Sequence, residues 1–129
     1  MNQDTRVGLS VTHRRYVPYS HAHYAGNLVD GAYVLAMFGD VATELSIRTD
    51  GDEALFASYS DVQFLAPVQG GDVLEASGTV VRVGRRSRGL RFEARVVCRA
   101  DPGSGPSAAR VLTEPVVCTR AAGTVVVPG

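Results

Sequence analysis

The amino-acid sequence predicts an α+β fold in which one curved antiparallel β-sheet wraps around a single long helix. One supporting observation is a stretch with helical spacing over residues 28–47, whose apolar side chains cover nearly the whole helix circumference, as in a buried helix. Another is the order of the segments, because one strand-like stretch precedes this helix and four follow it. A length of 129 residues suits a single domain, residues 1–129, and no linker divides the chain.

The first segment, residues 6–17, alternates apolar and polar residues as a half-buried strand does. A loop over residues 18–26 leads to Asn27, which is predicted to cap the long helix. Asp50 and Gly51 are expected to end the helix with a turn. A helix of this length would be about 30 Å long and would cross a small domain.

Four strands are predicted after the helix, over residues 55–68, 73–83, 90–99 and 116–127. The third of them alternates clearly, with Leu90 and Phe92 inward and Arg91 outward. One sheet covers only one side of the helix, so the other side and the sheet edge need a second copy of the chain. This arrangement is the hotdog fold, and we expect a homodimer or a higher homo-oligomer.

Composition and charge argue against several classes of protein. Thirteen acidic residues balance thirteen basic residues, all of them Arg, and the zero net charge argues against non-specific nucleic-acid binding. No apolar run approaches the ~18 residues of a membrane span, and the polar N-terminus has no signal-peptide core, so we expect a cytoplasmic protein. Cys98 and Cys118 lie in apolar strand patterns and are expected to be buried thiols.

Two carboxylates on the predicted helix are candidate catalytic residues. Asp40 and Glu44 are four residues apart and therefore share one face of the helix. If both face one cavity, mutual repulsion and burial would raise the pKa of one of them, giving an acid and a base near neutral pH. The alternative is that Arg residues neutralise both acids, or that this end of the helix reaches water.

The start of the helix and the loop before it form a second candidate region. Free backbone N–H groups at Gly31 and Ala32 are suited to polarising a carbonyl oxygen, and Gly31 lets a ligand approach the backbone closely. In the loop, His23 or Tyr24 is a candidate hydrogen-bond donor to a substrate. His21 and His23 have metal-ligand spacing but no third ligand at a recognisable distance, so we expect no metal site.

Arginine is concentrated in residues 82–99, which contain seven of the thirteen arginines and one acid, Glu93. Arg85, Arg86 and Arg88 fall in a predicted turn between two strands. Because Arg binds phosphate oxygens in a bidentate manner, this turn is a candidate site for the phosphates of coenzyme A or for the phosphopantetheine of a carrier protein. The alternative is an ordinary solvated turn.

Several motifs resemble those of one known family. The runs AHYAGNLVDGA over residues 22–32, GDVATEL over residues 39–45 and FLAPV over residues 64–68 are similar to those of the hotdog-fold 3-aminoacyl-CoA ammonia-lyases. Shorter matches continue in order to Gly123-Thr124, so the resemblance covers nearly the whole chain after Leu9. The family includes enzymes for 3-aminobutyryl-CoA and β-alanyl-CoA, and the resemblance is strongest to the first of these.

The resemblance implies a carbon–nitrogen lyase that reversibly eliminates ammonia from a 3-aminoacyl-CoA to give the 2-enoyl-CoA. It implies no metal and no cofactor besides the coenzyme A of the substrate. One of Asp40 and Glu44 would take the α-proton while the other holds the ammonium group. We place the base at Glu44 and leave the reverse assignment open. His23, Tyr24 and Asn27 carry over as substrate contacts.

The substrate and the reaction both leave alternatives. Arg85 and Arg86 are more basic than the family pattern, so the acyl group and its carrier, coenzyme A or a carrier protein, stay open. The direction is open too, because a biosynthetic relative would add an amine to an enoyl thioester. One alternative function is an acyl-CoA or acyl-carrier-protein thioesterase, in which an acid on the helix activates water. Another is a non-catalytic subunit that binds acyl thioesters.

Overall fold

The computed structural model describes residues 4–129, which form a five-stranded antiparallel sheet and one long helix. The strands stand in the order β1-β3-β4-β5-β2, so β1 and β2 are the sheet edges. The element bounds are β1 Ser10–Tyr16, α1 Gly31–Asp50, β2 Leu55–Phe64, β3 Val73–Val83, β4 Ser87–Ala100 and β5 Ala109–Val126. Two short 3-10 helices, Tyr19–His21 and Pro102–Ser104, lie in the connections. The predicted α+β hotdog fold is confirmed.

One side of α1 packs against the inner face of the sheet. Val34 and Phe38 are buried there, and the Phe38 ring stacks on the ring of Phe92 in β4 with centroids 4.9 Å apart. Side chains on the other side of α1 are exposed, among them Ala36 and Asp40. Within a single chain the sheet therefore covers only one side of the helix, as the sequence predicts.

The helix begins later than predicted. Asn27 has a left-handed φ of 61°, and its side-chain amide donates a hydrogen bond to the carbonyl of Gly70 at 3.0 Å. A helix N-cap needs an extended backbone, which this φ excludes, so the predicted cap at Asn27 is wrong. The helix starts at Gly31 with Asp30 as its N-cap. Its other end is as predicted, because Gly51 follows in the left-handed conformation with φ 64°.

The strands differ from the prediction mainly at their ends. β4 and β5 pair from Ser87 opposite Val126 to Ala100 opposite Ala109, so both strands extend beyond their predicted bounds. The Pro/Gly/Ser-rich stretch over residues 101–108 connects these two strands. β2 ends at Phe64, earlier than predicted.

A buried ion pair fixes the turn between β2 and β3. Asp72 is fully buried and accepts two hydrogen bonds from Arg99 of β4, at 2.9 and 2.8 Å. It also accepts the backbone N–H of Gln69 at 2.8 Å. Tyr19 lies so close to this turn that a Cβ at Gly71 would be 2.6 Å from the Tyr19 hydroxyl oxygen. The turn thereby holds the loop that precedes α1.

The two cysteines lie in strands, as the sequence predicts. Cys118 is buried, and burial raises the pKa of its thiol, as expected for an inert cysteine. Cys98 is partly exposed, which differs from the expectation. None of the helices in residues 4–129 has the length and apolarity needed to cross a membrane.

Candidate active site

Asp40 and Glu44 lie one turn apart on α1, and the edge strand β1 supplies a basic partner to each. Nη2 of Arg15 is 3.4 Å from Oδ2 of Asp40, and Nε2 of His13 is 2.8 Å from Oε1 of Glu44. Arg48 donates from Nε to the other oxygen of Glu44, Oε2, at 2.8 Å. The structure therefore places the two predicted acids side by side, with different surroundings.

The surroundings of Glu44 keep this carboxylate charged. Hydrogen bonds from Arg48 and from His13 hold the pKa of Glu44 below its ordinary value, against a smaller opposing effect of burial. The expectation that one acid of the pair has a raised pKa is therefore wrong for Glu44. Asp40 is more open, because its side chain is 65% exposed and has one long contact. Asp40 is the acid whose oxygens remain accessible to a substrate.

His13, Arg15 and Tyr33 are not among the predicted site residues, yet all three lie beside the acid pair or the loop before α1. The guanidinium carbon of Arg15 lies 5.5 Å from the centroid of the Tyr33 ring, a cation–π distance, and the Tyr33 hydroxyl is 2.8 Å from Nδ1 of His21. The alternation of β1 indicates that two of them face the helix, because His13 and Arg15 share a face with buried Val11. Since that face meets α1, these basic side chains approach the helix.

The N-terminus of α1 borders a cleft of about 370 Å³, whose walls include the apolar side chains of Val34, Phe64 and Leu65. In residues 4–129 the backbone N–H groups of Gly31 and Ala32 find no hydrogen-bond acceptor, so they are free to polarise a carbonyl oxygen. A Cβ at Gly31 would lie 2.7 Å from Cε1 of Phe64. The Phe64 ring thus accounts for the glycine at this position without a ligand.

The loop before α1 presents His23 and Tyr24 to solvent. Nε2 of His23 is 2.8 Å from Oδ1 of Asp30, and this hydrogen bond lowers the pKa of Asp30. The Tyr24 ring meets the His23 ring edge-on, with centroids 4.7 Å apart. Asn27 is also exposed, its amide nitrogen donates to the carbonyl of Gly70, and its role as a substrate contact stays a prediction. The part of the chain described here contains no group of three His, Cys, Asp or Glu suited to a metal ion.

The turn between β3 and β4, residues 84–86, is called the arginine turn here, and it exposes Arg85 and Arg86 as predicted. Arg88 does not join them. Its side chain is 6% exposed and donates to both oxygens of Asp50, at 3.0 and 2.8 Å. Its Nη1 also donates to two backbone carbonyls in and beside the turn. Arg88 therefore fastens the arginine turn to the end of α1 and does not face a phosphate, which corrects the prediction for this residue.

The predicted parts of the site are spread along α1. The arginine turn lies at the C-terminal end of the helix, where Arg88 contacts Asp50. Ala32 is at the other end, roughly 27 Å away along the helix axis, and Asp40 is about 12 Å from Ala32. One chain does not bring the turn, the acids and the helix N-terminus together around a single small group.

Comparison with known proteins places the chain in a family. It matches the thioesterase superfamily over residues 26–101, which span α1 and the strands β2, β3 and β4. It is 52% identical over 107 residues to the 3-aminobutyryl-CoA ammonia lyase of Acetoanaerobium sticklandii, and this alignment covers 83% of the chain and 85% of that protein. The chain belongs to the 3-aminoacyl-CoA ammonia-lyase family. This confirms the resemblance drawn from the sequence motifs.

Solved structures agree with membership of the ammonia-lyase family. The β-alanyl-CoA:ammonia lyase from Clostridium propionicum superposes with a TM-score of 0.88 at 39% identity, over 94% of this chain and 86% of that one. A hexameric hotdog fold thioesterase of Campylobacter jejuni superposes with a TM-score of 0.72 at 20% identity, over 91% of this chain and 81% of that one. The second similarity is one of fold alone.

In this ammonia-lyase family member the candidate residues come from two parts of the chain. Asp40 and Glu44 lie inside the stretch that matches the superfamily. His13 and Arg15 lie on β1, which precedes that stretch. The acids therefore lie within the stretch that matches the superfamily, while the edge strand β1, which precedes it, supplies two of their basic partners.

Proposed function

We propose that the chain catalyses the reversible elimination of ammonia from a 3-aminoacyl-CoA, such as 3-aminobutyryl-CoA, to give the 2-enoyl-CoA. The observation that carries this proposal is the acid pair on α1, in which Glu44 is held charged while Asp40 is open. The elimination needs one group to take the α-proton and another to face the ammonium group. The identity of 52% to a 3-aminobutyryl-CoA ammonia lyase supports this substrate class.

Asp40 is the acid of the pair whose oxygens are open to a proton of the substrate, because its side chain is 65% exposed. Both oxygens of Glu44 already accept hydrogen bonds, and those bonds favour its ionised form. The contacts therefore favour the reverse of the assignment made from the sequence, with the base at Asp40. Asp40 takes the α-proton, the electron pair of the C–H bond forms the new C=C bond, and ammonia leaves with the electron pair of the C–N bond.

Glu44 is the group proposed to face the ammonium group of the substrate. A carboxylate that stays ionised attracts an ammonium group throughout the neutral pH range. Glu44 lies one turn beyond Asp40, so the two carboxylates are spaced to reach neighbouring atoms of one substrate. The α-carbon and the amine-bearing carbon are such neighbours.

A second copy of the chain is needed to complete this site. Removing the α-proton places negative charge on the thioester oxygen, and the free N–H groups of Gly31 and Ala32 are suited to stabilising it. The carbonyl carbon is bonded to the α-carbon, yet Asp40 is about 12 Å from Ala32 along α1. We infer that one copy supplies the helix N-terminus and another supplies Asp40, so the active form is a homodimer or a higher homo-oligomer.

Arg85 and Arg86 are proposed to bind the phosphates of coenzyme A. They are exposed on a turn that Arg88 holds in place, and guanidinium groups suit phosphate oxygens. The phosphopantetheine of a carrier protein has the same chemistry and remains the alternative carrier. The proposed reaction uses no metal and no resident cofactor, since coenzyme A enters with the substrate.

An acyl-CoA thioesterase is the second candidate, because the superfamily match and a fold neighbour are thioesterases. Incubation of the purified chain with 3-aminobutyryl-CoA distinguishes the two, since a lyase releases crotonyl-CoA and ammonia while a thioesterase releases free coenzyme A. We expect Asp40→Asn to lower kcat by at least about a hundredfold. Glu53→Gln, which changes an exposed acid beyond the helix, is the control and should leave kcat unchanged. Full activity in Asp40→Asn would rule out the proposed base.

A further inference from the structure

Glu44 is held from two sides by partners of different kinds. His13 reaches Oε1 from the neighbouring strand β1, and Arg48 reaches Oε2 from one turn further along α1 itself. The His13 side chain is 30% exposed, whereas that of Arg48 is 65% exposed. A substrate group can therefore replace the exposed Arg48 at Glu44 more easily than it can replace His13.

The contact with His13 is the more rigid of the two. β1 is hydrogen-bonded to β3 along its length, and His13 stands opposite buried Ala76 in that ladder. An imidazole has few rotatable bonds, so a sheet-borne histidine has one well-defined direction. Arg48 has a long flexible side chain, and exposed pairs at this helical spacing are weak. A substrate cation can displace Arg48 from Oε2 while His13 keeps its place on Oε1.

The charges around Glu44 also favour histidine at this position. Arg48 on the helix and Arg15 on β1 already place two permanent positive charges beside the acid pair. A third permanent positive charge would repel an ammonium group. Histidine carries no permanent charge, unlike arginine, and a ring N–H of His13 is placed to donate to the carboxylate of Glu44 at 2.8 Å.

We propose that His13 is a positioning residue for the ammonia-lyase reaction, which fixes Oε1 of Glu44 so that Oε2 exchanges Arg48 for the ammonium group of the substrate. The inference rests on the proposed function and extends it to a residue outside the superfamily match. It requires that the loss of His13 weaken the binding of the amine and leave the binding of the acyl-CoA largely unaffected.

The reverse reaction, in which ammonia adds to crotonyl-CoA, separates the effect on amine binding from the effect on acyl-CoA binding. In this direction the concentrations of ammonium and crotonyl-CoA are varied independently. His13→Ala is expected to raise the KM for ammonium about tenfold, the usual effect of losing a hydrogen bond to a charged group. The KM for crotonyl-CoA should stay within about twofold of that of the unmodified protein, a much smaller change than the one expected for ammonium. His13→Gln retains an uncharged N–H donor and should restore most of the ammonium affinity. A purely structural role for His13 would change both KM values together.

Thr12→Ala is the matched control, since Thr12 is on the same strand but is exposed on its other face and bonds Ser77. It should leave both KM values unchanged. An unchanged ammonium KM in His13→Ala, with the unmodified protein active, would overturn the inference. So would a failure of His13→Gln to recover affinity when it binds crotonyl-CoA normally. If the unmodified protein forms no amine adduct, the proposed function itself fails.

Discussion

Nη2 of Arg88 lies 2.8 Å from Oδ1 of Asp50, and the two side chains are 6% and 9% exposed. Asp50 is the last residue of α1, where the helix dipole disfavours a negative charge. Arg88 offsets this effect, and Nη1 of Arg6 adds a second contact to Oδ1 of Asp50 at 2.8 Å. The pair joins the end of the helix to the arginine turn.

Replacing Arg88 with Met is expected to lower the free energy of unfolding by about 3 kcal/mol, because Asp50 would be left buried without its main partner. Urea unfolding measures this loss. Arg91→Met is the matched control, since Arg91 is an exposed arginine on the same strand, and its effect should stay within about 0.5 kcal/mol. Similar losses in the two variants would contradict the role given to Arg88.

The stability that Asp50 contributes depends on pH. The hydrogen bond from Arg88 is the main cause that lowers the pKa of Asp50 to about 2. Because this folded-state pKa lies below the unfolded value of about 4, the stabilisation is fully present above about pH 4 and is lost as the pH falls towards 2. We expect unmodified protein to be more stable than Asp50→Asn by about 1–2 kcal/mol near pH 6, with the difference shrinking towards pH 2.

Urea unfolding of both proteins across this pH range tests the prediction. Asp52→Asn, just beyond the helix and exposed, is the control, and its difference from the unmodified protein should not vary in this way. A difference for Asp50→Asn that stays constant with pH would contradict the assignment.

The double variant Arg85→Ala with Arg86→Ala is expected to raise the KM for crotonyl-CoA about tenfold or more and to change kcat little, because phosphate contacts bind substrate and transition state alike. Steady-state kinetics measures both constants. Crotonyl-pantetheine, which lacks the phosphates, should show no change in KM. An increase in KM for both substrates would mean that the arginine turn acts on something other than phosphate.

Mixed oligomers of Asp40→Asn and His23→Ala test whether two copies share a site. His23 is a predicted substrate contact that lies next to the helix N-terminus through its bond to Asp30, and we expect His23→Ala alone to be inactive. If the helix N-terminus and Asp40 of one site come from different copies, a heterodimer retains one intact site of two and about half the activity. If both come from one copy, no site is intact, and the mixture stays as inactive as either variant alone.

The sequence predicts the fold well because burial leaves a periodic signal. The alternation of Leu90 and Phe92 with Arg91, and the apolar surface of the long helix, depend only on which side chains face the core. The helix start was harder to predict. Asn27 is a good cap by residue type, but its backbone is left-handed and its side chain bonds Gly70, a residue far along the chain that local sequence does not reveal.

The candidate site was predicted only in part, for the same reason. Asp40 and Glu44 are visible from their spacing on a helix. Their partners are not, because His13 and Arg15 reach them from another element and depend on how β1 pairs with β3. In the sequence Arg88 stands beside the exposed Arg85 and Arg86. Its burial follows from the ion pair with Asp50, which is distant in sequence and near in space.

The most direct test of the proposed reaction is the incubation of crotonyl-CoA with ammonium and the purified protein, followed by mass spectrometry. Both candidate reactions start from this one thioester, and their products differ in mass. The proposed lyase forms 3-aminobutyryl-CoA, and its formation should be lost in Asp40→Asn. Release of free coenzyme A with no amine adduct would contradict the proposal and identify the chain as a thioesterase.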